Sequence, residues 1–222
     1  MGPDSPLWLD RLAFDHNNLR AAFSWVTASD RARDGELAQR LVRALMWSWL
    51  MRGPFDEGVC WAERALSLDS GHALSQAGAV WVAGYLNDFV GSRTVARQML
   101  EQGVSLCRRL GPSGKRELAW ALNYLGMDAI HTNLATVQAC FEESLDLWRQ
   151  LGDPRGTAPA LINLGYLASV EGDCDRASDL LENGLAGAQL SGERIWYVLA
   201  KINLGGLAAG QGHDTQAHLL YR

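Results

Sequence analysis

The stretch ALINLGYLASVEGD, residues 160–173, decides the fold because it places a glycine in the middle of an apolar helix. Glycine inside a helix costs about 1 kcal/mol relative to alanine. A helix that keeps Gly165 therefore gains stability elsewhere, most simply through the close approach of a neighbouring helix.

The same pattern occurs four times along the chain. The other copies are AVWVAGYLNDFVGS from Ala79, ALNYLGMDAIHTN from Ala121 and AKINLGGLAAGQGHD from Ala200. Their central glycines, Gly84, Gly126, Gly165 and Gly205, are 42, 39 and 40 residues apart. Self-similarity at this period indicates stacked helical hairpins, so we predict an all-α protein of about twelve helices without a sheet.

Small residues also recur in the second helix of each repeat. Alanine follows the central glycine by twelve residues at Ala96, Ala177 and Ala217, and Gly103 and Gly184 come seven residues after the first two of these. Small residues on two facing helices allow their axes to approach closely. We therefore interpret the central glycines as packing residues.

A further set of residues marks the end of the first helix in each repeat. Glycines occur there at Gly53, Gly91, Gly172 and Gly212, and Asn133 occupies the corresponding place in the third copy. A left-handed residue that ends a helix is most often glycine and sometimes asparagine. We predict left-handed backbone at all five positions.

With these features the sequence resembles the tetratricopeptide repeat family from about residue 35 to residue 222. The resemblance rests on Leu-Gly in the first helix, alanine twelve residues later, and a large residue four positions beyond, at Leu100, Phe141, Leu181 and Tyr221. It implies antiparallel helix pairs that stack into a right-handed superhelix. Four degenerate motifs in one register are much more specific than one.

The N-terminal segment resembles part of another type of protein. The sequence WLDRLAFDHNNLRAAFSWV and the later AQRLVRALMWSWLMRGPFDEGVCWAERALSL are similar to the region after the nucleotide-binding module in large bacterial transcription regulators of the signal-transduction ATPase type, including LuxR-type members. The resemblance covers residues 7–68 and implies a piece of a longer chain. We expect a helical connector at 1–33 and a repeat array at 34–222 with about 4.5 repeats of 38 to 42 residues.

Composition and charge disfavour several classes of protein. The 222 residues carry a formal net charge of −5 without an extended basic cluster, so we expect no direct binding to nucleic acid. The sequence has no apolar run of membrane-spanning length and no signal-peptide profile, which predicts a cytoplasmic protein without a membrane partner. Its four cysteines form no C-x-x-C pair, so we expect neither a metal site nor disulfides, and no cofactor.

The motifs for catalysis are also incomplete. The sequence GGLAAGQG at 205–212 has the glycine spacing of a phosphate-binding loop, but Gln211 stands where lysine is required. The histidines lack metalloprotease spacing, and no serine lies in G-x-S-x-G. We therefore predict a protein that is not an enzyme.

The remaining candidate site is the concave face that the tetratricopeptide resemblance implies. Counted from each central glycine, the first-helix positions −3, +1, +4 and +5 face this groove in the family. The predicted groove residues are Trp47, Trp81, Tyr85, Asp88, Phe89, Met127, Ile130, His131, Ile162 and Tyr166. Aromatic residues and methionine suit an apolar helix or an extended peptide, although long repeats could equally bury this face against the next helix.

We interpret the chain as the protein-interaction or sensor domain of a bacterial transcription regulator. Its partner would be a protein or peptide, with the ATPase module of the parent chain as one candidate. The alternatives are a free-standing adaptor and, from another class, an enzyme whose active site is the groove. We expect Trp81→Ala or Tyr85→Ala to weaken binding by about 2 kcal/mol and folding by less. We also expect the last helix, where Leu219, Leu220 and Tyr221 are poorly covered, either to fray or to mediate self-association.

Overall fold

The computed structural model describes residues 5–28, 32–130 and 132–221. Within these ranges the chain forms twelve α-helices, one short 3₁₀ helix and no strand. The prediction of an all-α fold with about twelve helices is therefore confirmed. The helices are α1 Ser5–Phe14, α2 His16–Thr27, α3 Ala32–Arg52, α4 Phe55–Leu66, α5 Ala73–Phe89, α6 Arg93–Arg109, the 3₁₀ helix Gly111–Gly114, α7 Lys115–Ala129, α8 Leu134–Leu151, α9 Pro154–Glu171, α10 Cys174–Ser191, α11 Arg194–Gly210 and α12 Asp214–Leu220.

The chain divides into two compact units, which we call the N-terminal unit, Pro6–Asp128, and the C-terminal unit, which takes in Ala129–Arg222. In the N-terminal unit α3 packs with α4 and α5 packs with α6. In the C-terminal unit α9 packs with α10 and α11 packs with α12. Each unit is thus built from helical hairpins. The division of the chain into a helical connector at 1–33 and a repeat array at 34–222 remains a prediction.

Each unit buries its own large side chains. The largest fully buried residues of the N-terminal unit are Trp81, Tyr124, Met46, Leu86, Leu100, Leu122 and Gln39, and those of the C-terminal unit are Trp148, Phe141, Ile162, Leu167 and Leu181. Complete burial of a large apolar side chain stabilises a fold by roughly 1.5–3 kcal/mol. Within each unit the helices are therefore held by side-chain packing inside the hairpins and between neighbouring ones.

The central glycines are contact points between the two helices of a hairpin. A Cβ atom at Gly165 in α9 would lie 2.7 Å from Leu181 Cγ in α10, and one at Gly184 in α10 would lie 2.6 Å from Ile162 Cγ1 in α9. These separations are shorter than van der Waals contact, so only glycine allows the two helices to lie this close. The interpretation of Gly165 as a packing residue is confirmed.

The glycines predicted to end the first helices have left-handed backbone. Their φ angles are 60° at Gly53, 82° at Gly91, 83° at Gly172 and 79° at Gly212. The prediction for Asn133 is wrong, because this residue is extended, with φ of −153°. Its side-chain oxygen accepts a hydrogen bond from the Thr136 backbone N–H at 3.1 Å. Asn133 therefore caps the start of α8, where it satisfies an N–H group that the helix leaves without a partner.

Candidate functional site

Aromatic side chains of the N-terminal unit form a continuous chain of ring contacts. The first helices of its hairpins present aromatic residues four positions apart, and this spacing places them on one helix face. From Phe55 the ring centroids are separated by 4.5 Å to Phe89, then 5.1 Å to Tyr85 and 3.8 Å to Tyr124. At Tyr124 the contacts branch, with 5.3 Å to Trp81 and 5.9 Å to Trp120. The Trp120 ring lies 5.9 Å from the Trp47 ring. We call these seven residues the aromatic chain.

The exposure of the aromatic chain changes along its length. Trp81 and Tyr124 are buried, and Tyr85 is only 8% exposed. Phe89 is 45% exposed, and Met127, one turn beyond Tyr124 on α7, is 37% exposed. The aromatic chain therefore has buried rings that fix the position of Phe89, the exposed ring that a partner can contact.

The two tyrosines of the aromatic chain stay neutral at physiological pH. Burial raises the pKa of Tyr85, with a smaller contribution from the nearby Asp88 carboxylate. Burial also raises the pKa of Tyr124 well above its ordinary value. The Tyr124 hydroxyl is buried and makes no hydrogen bond to the described residues. Neither tyrosine therefore provides a phenolate for chemistry.

A charged pair lies against the buried end of the aromatic chain. Glu117 Oε2 accepts a hydrogen bond from Arg43 Nε at 2.8 Å and another from the Trp81 indole Nε1 at 2.7 Å. The Arg43 guanidinium lies over the Trp81 ring, 4.6 Å from its centroid. Burial, and secondly the Glu117 charge, raises the pKa of Cys107 to about 12. The thiol is therefore protonated, whereas Arg43 and Glu117 form a charged pair.

The predicted groove residues of the N-terminal unit are partly brought together. Trp47, Trp81, Tyr85 and Phe89 belong to the aromatic chain. Asp88 is half-buried beside Tyr85, and Met127 lies on the helix that carries Tyr124. Their role in partner binding remains a prediction.

The other predicted groove residues fall at or beyond the start of the C-terminal unit. Ile130 is half-buried, Ile162 is buried and Tyr166 is 39% exposed. His131 lies outside the described residues. Val170 on α9 and Val198 and Ile202 on α11 are further exposed apolar residues of this unit.

Sequence reasoning missed five residues of this region, Phe55, Trp120, Tyr124, Arg43 and Glu117. The spacing of Trp120, Tyr124 and Met127 at i, i+4 and i+7 was a signal for one helix face. No local signal existed for Arg43 and Glu117, which are 74 residues apart in sequence. Their pairing depends on the stacking of α3, α5 and α7.

The glycine-rich sequence considered as a phosphate-binding loop has a structural role. GGLAAGQG lies mostly in α11, and a Cβ at Gly205 would be 2.7 Å from the Tyr221 ring.

Among the residues that the structure describes, no three His, Cys, Asp or Glu side chains form a group able to hold a metal ion. In the same ranges no helix is both long enough and apolar enough to cross a membrane.

Comparison with known proteins gives structural matches only. No protein-family model matches the sequence, and no match was found among the curated proteins. The crystal structure of BtubC from P. vanneervenii is similar with a TM-score of 0.70 and 18% identity, over 96% of this chain and 87% of that chain.

Two further structures extend the comparison. A Rap protein complexed with competence and sporulation factor has a TM-score of 0.65 and 12% identity, over 94% of this chain and 70% of that one. TPR-like repeats of the kinesin light chain type from Podosopora anserina have a TM-score of 0.57 and 16% identity, over 82% and 92% of the two chains. At these identities the similarity concerns the fold, which is that of tetratricopeptide-like repeat proteins.

Proposed function

We propose that this chain is a non-catalytic binding domain that holds a peptide or protein segment against the aromatic chain of its N-terminal unit. The observation that carries the proposal is the change from buried to exposed rings along one continuous set of contacts. The buried rings keep Phe89 in place, so a partner meets a surface that needs little ordering when it binds. Such rigid aromatic residues are typical energetic centres of protein interfaces.

The exposed apolar residues of the N-terminal unit favour an apolar partner. Phe89 and Met127 are half-exposed, and Met51 on α3 is 39% exposed. Methionine adapts to differently shaped apolar groups, and aromatic rings provide a large contact area. The half-buried Asp88, next to Phe89, would orient a donor group or a basic side chain of the partner. The proposed ligand is therefore an apolar segment with a polar or basic residue at one end.

The wider context proposed for the domain is a cytoplasmic bacterial transcription regulator. The support is the resemblance of residues 7–68 to the segment that follows the ATPase module in such proteins. A Rap protein of similar fold is complexed with competence and sporulation factor, which supports the idea of a regulatory binding domain. The ATPase module of the parent chain is one candidate partner.

Selection from a displayed library of random peptides tests the proposed surface. We expect apolar peptides that bind the wild-type chain and bind the Phe89→Ala, Met127→Ala double variant at least about tenfold more weakly, a loss of about 1.4 kcal/mol. Both side chains are exposed enough for the variant to keep its fold, which circular dichroism and the melting temperature would verify.

Val95→Ala is the matched control. Val95 is an exposed apolar residue of the same unit, on α6 and outside the aromatic chain. Its loss should leave peptide affinity unchanged. Failure to enrich any peptide, or peptides that bind the double variant as well as the wild type, would contradict the proposed function.

A further inference from the structure

A second site of different chemistry lies in the N-terminal unit, where a cavity of about 500 Å³ opens between α3, α5 and α7. Its volume falls in the range of sites for small molecules. Six of its nine lining residues carry charged or polar side chains, in contrast to the aromatic chain. These residues are Glu36, Arg40, Arg43, His72, Ser75 and Glu117.

Arg43 provides oriented hydrogen-bond donors in this cavity. Its Nε atom is bound to Glu117 and its guanidinium plane rests on Trp81, so the side chain is held in one orientation. The two terminal nitrogens make no further hydrogen bond to the residues described by the structure. A planar guanidinium with free terminal N–H groups matches the two oxygens of a carboxylate.

His72 contributes one more donor to the same lining. Its Nδ1 atom accepts a hydrogen bond from the Ser75 backbone N–H at 3.3 Å, where it caps the start of α5. A neutral imidazole that accepts at Nδ1 carries its proton at Nε2. The Nε2–H group of His72 makes no hydrogen bond to the described part of the chain and can therefore donate to a ligand.

Acceptors for a cation lie in the same cavity. Glu117 uses Oε2 for both Arg43 and Trp81, which leaves Oε1 without a partner among the described side chains. Among the described residues, Glu36 makes only a long contact, 3.5 Å from its Oε1 to Arg40 Nη1. The lining thus combines two arginines with two carboxylates that each retain acceptor capacity.

This balance of charge determines which ligand the cavity suits. A simple anion would be attracted by the arginines and repelled by the carboxylates. A simple cation would be attracted by the carboxylates and repelled by the arginines. A molecule with both charges satisfies both sets of groups. We propose that the cavity binds a zwitterionic small molecule of the α-amino acid class, with its carboxylate on Arg43 and His72 and its ammonium group on Glu117 and Glu36. Leu74 and Ala44, which also line the cavity, would contact the ligand side chain.

Titration of the whole chain with free amino acids tests this proposal. We expect at least one of them to raise the melting temperature in a saturable way and to give a calorimetric binding isotherm. Acetate and ethylamine, which carry only one of the two charges, should bind at least about tenfold more weakly. If no amino acid binds at millimolar concentration, or if acetate binds as tightly as the best amino acid, the proposal is overturned.

Two variants locate the binding in this cavity. Ala44→Trp introduces a large ring at an exposed position of the cavity wall without disturbing the core, and it should abolish binding. Arg43→Lys keeps the charge but loses the planar fork, so affinity should fall at least about tenfold. Gln102→Trp, an exposed position on α6, is the control and should bind like the wild type. Unchanged affinity in a folded Ala44→Trp variant would place the ligand elsewhere and overturn the assignment.

Discussion

Gly156→Ala is expected to lower the free energy of unfolding by about 2–3 kcal/mol, because the added methyl group overpacks the core of the C-terminal unit. An ideal Cβ at Gly156 would overlap the indole ring of Trp148. Trp148 is 1% exposed, so its ring has no free space into which to move. The higher helix propensity of alanine would by itself raise the free energy of unfolding by about 1 kcal/mol. The clash should outweigh this gain.

Gly206→Ala is the matched control within the same unit. Gly206 is an exposed residue inside α11, and the nearest atom to an added Cβ is the Tyr221 hydroxyl oxygen at 3.9 Å. With no clash, only propensity remains, and the variant should be more stable than the wild type by about 0.5–1 kcal/mol. Urea unfolding followed by circular dichroism measures both values. Equal shifts of the same sign in the two variants would contradict this account of Gly156.

The repeat architecture could be predicted because its determinants are local and periodic. The same glycine recurs at the point of closest helix approach in several hairpins, and left-handed glycines end the first helices. At Asn133 the expectation of a left-handed residue at the end of the first helix was wrong. Asparagine is favoured both as a left-handed residue and as a helix cap, and the start of α8 required the cap.

The depth of the candidate site could not be predicted from the spacing alone. Position −3 before the central glycine was taken to face the groove, yet Trp81 and Ile162 at this position are buried. The reason is visible in the partner helix, where a Cβ at Gly103 would be 2.9 Å from Trp81 Cβ and one at Gly184 2.6 Å from Ile162 Cγ1. Position −3 thus packs into the hairpin. Position +5, represented by Phe89 and Val170, remains exposed in both units.

Trp81→Ala is therefore expected to act mainly on folding, in contrast to the expectation from the sequence that it would act mainly on binding. The side chain is fully buried, stacks on Tyr124 and supports the Arg43 guanidinium. Its loss leaves a large cavity and removes the indole donor to Glu117, so the free energy of unfolding should fall by about 3–5 kcal/mol. Chemical denaturation of the purified chain gives this value directly.

Two companion variants separate the contributions of Trp81. Phe89→Ala removes a ring of the same aromatic chain that is 45% exposed, and its cost should be about 1 kcal/mol. Trp81→Phe keeps a buried aromatic ring but loses the hydrogen bond to Glu117, whose loss should account for about 1–3 kcal/mol. An unfolding midpoint of Trp81→Ala equal to that of Phe89→Ala would contradict the buried role of Trp81. If Trp81→Ala is destabilised more than Phe89→Ala, a loss of partner binding in Trp81→Ala would reflect unfolding. The proposed binding surface must then be tested at Phe89 and Met127.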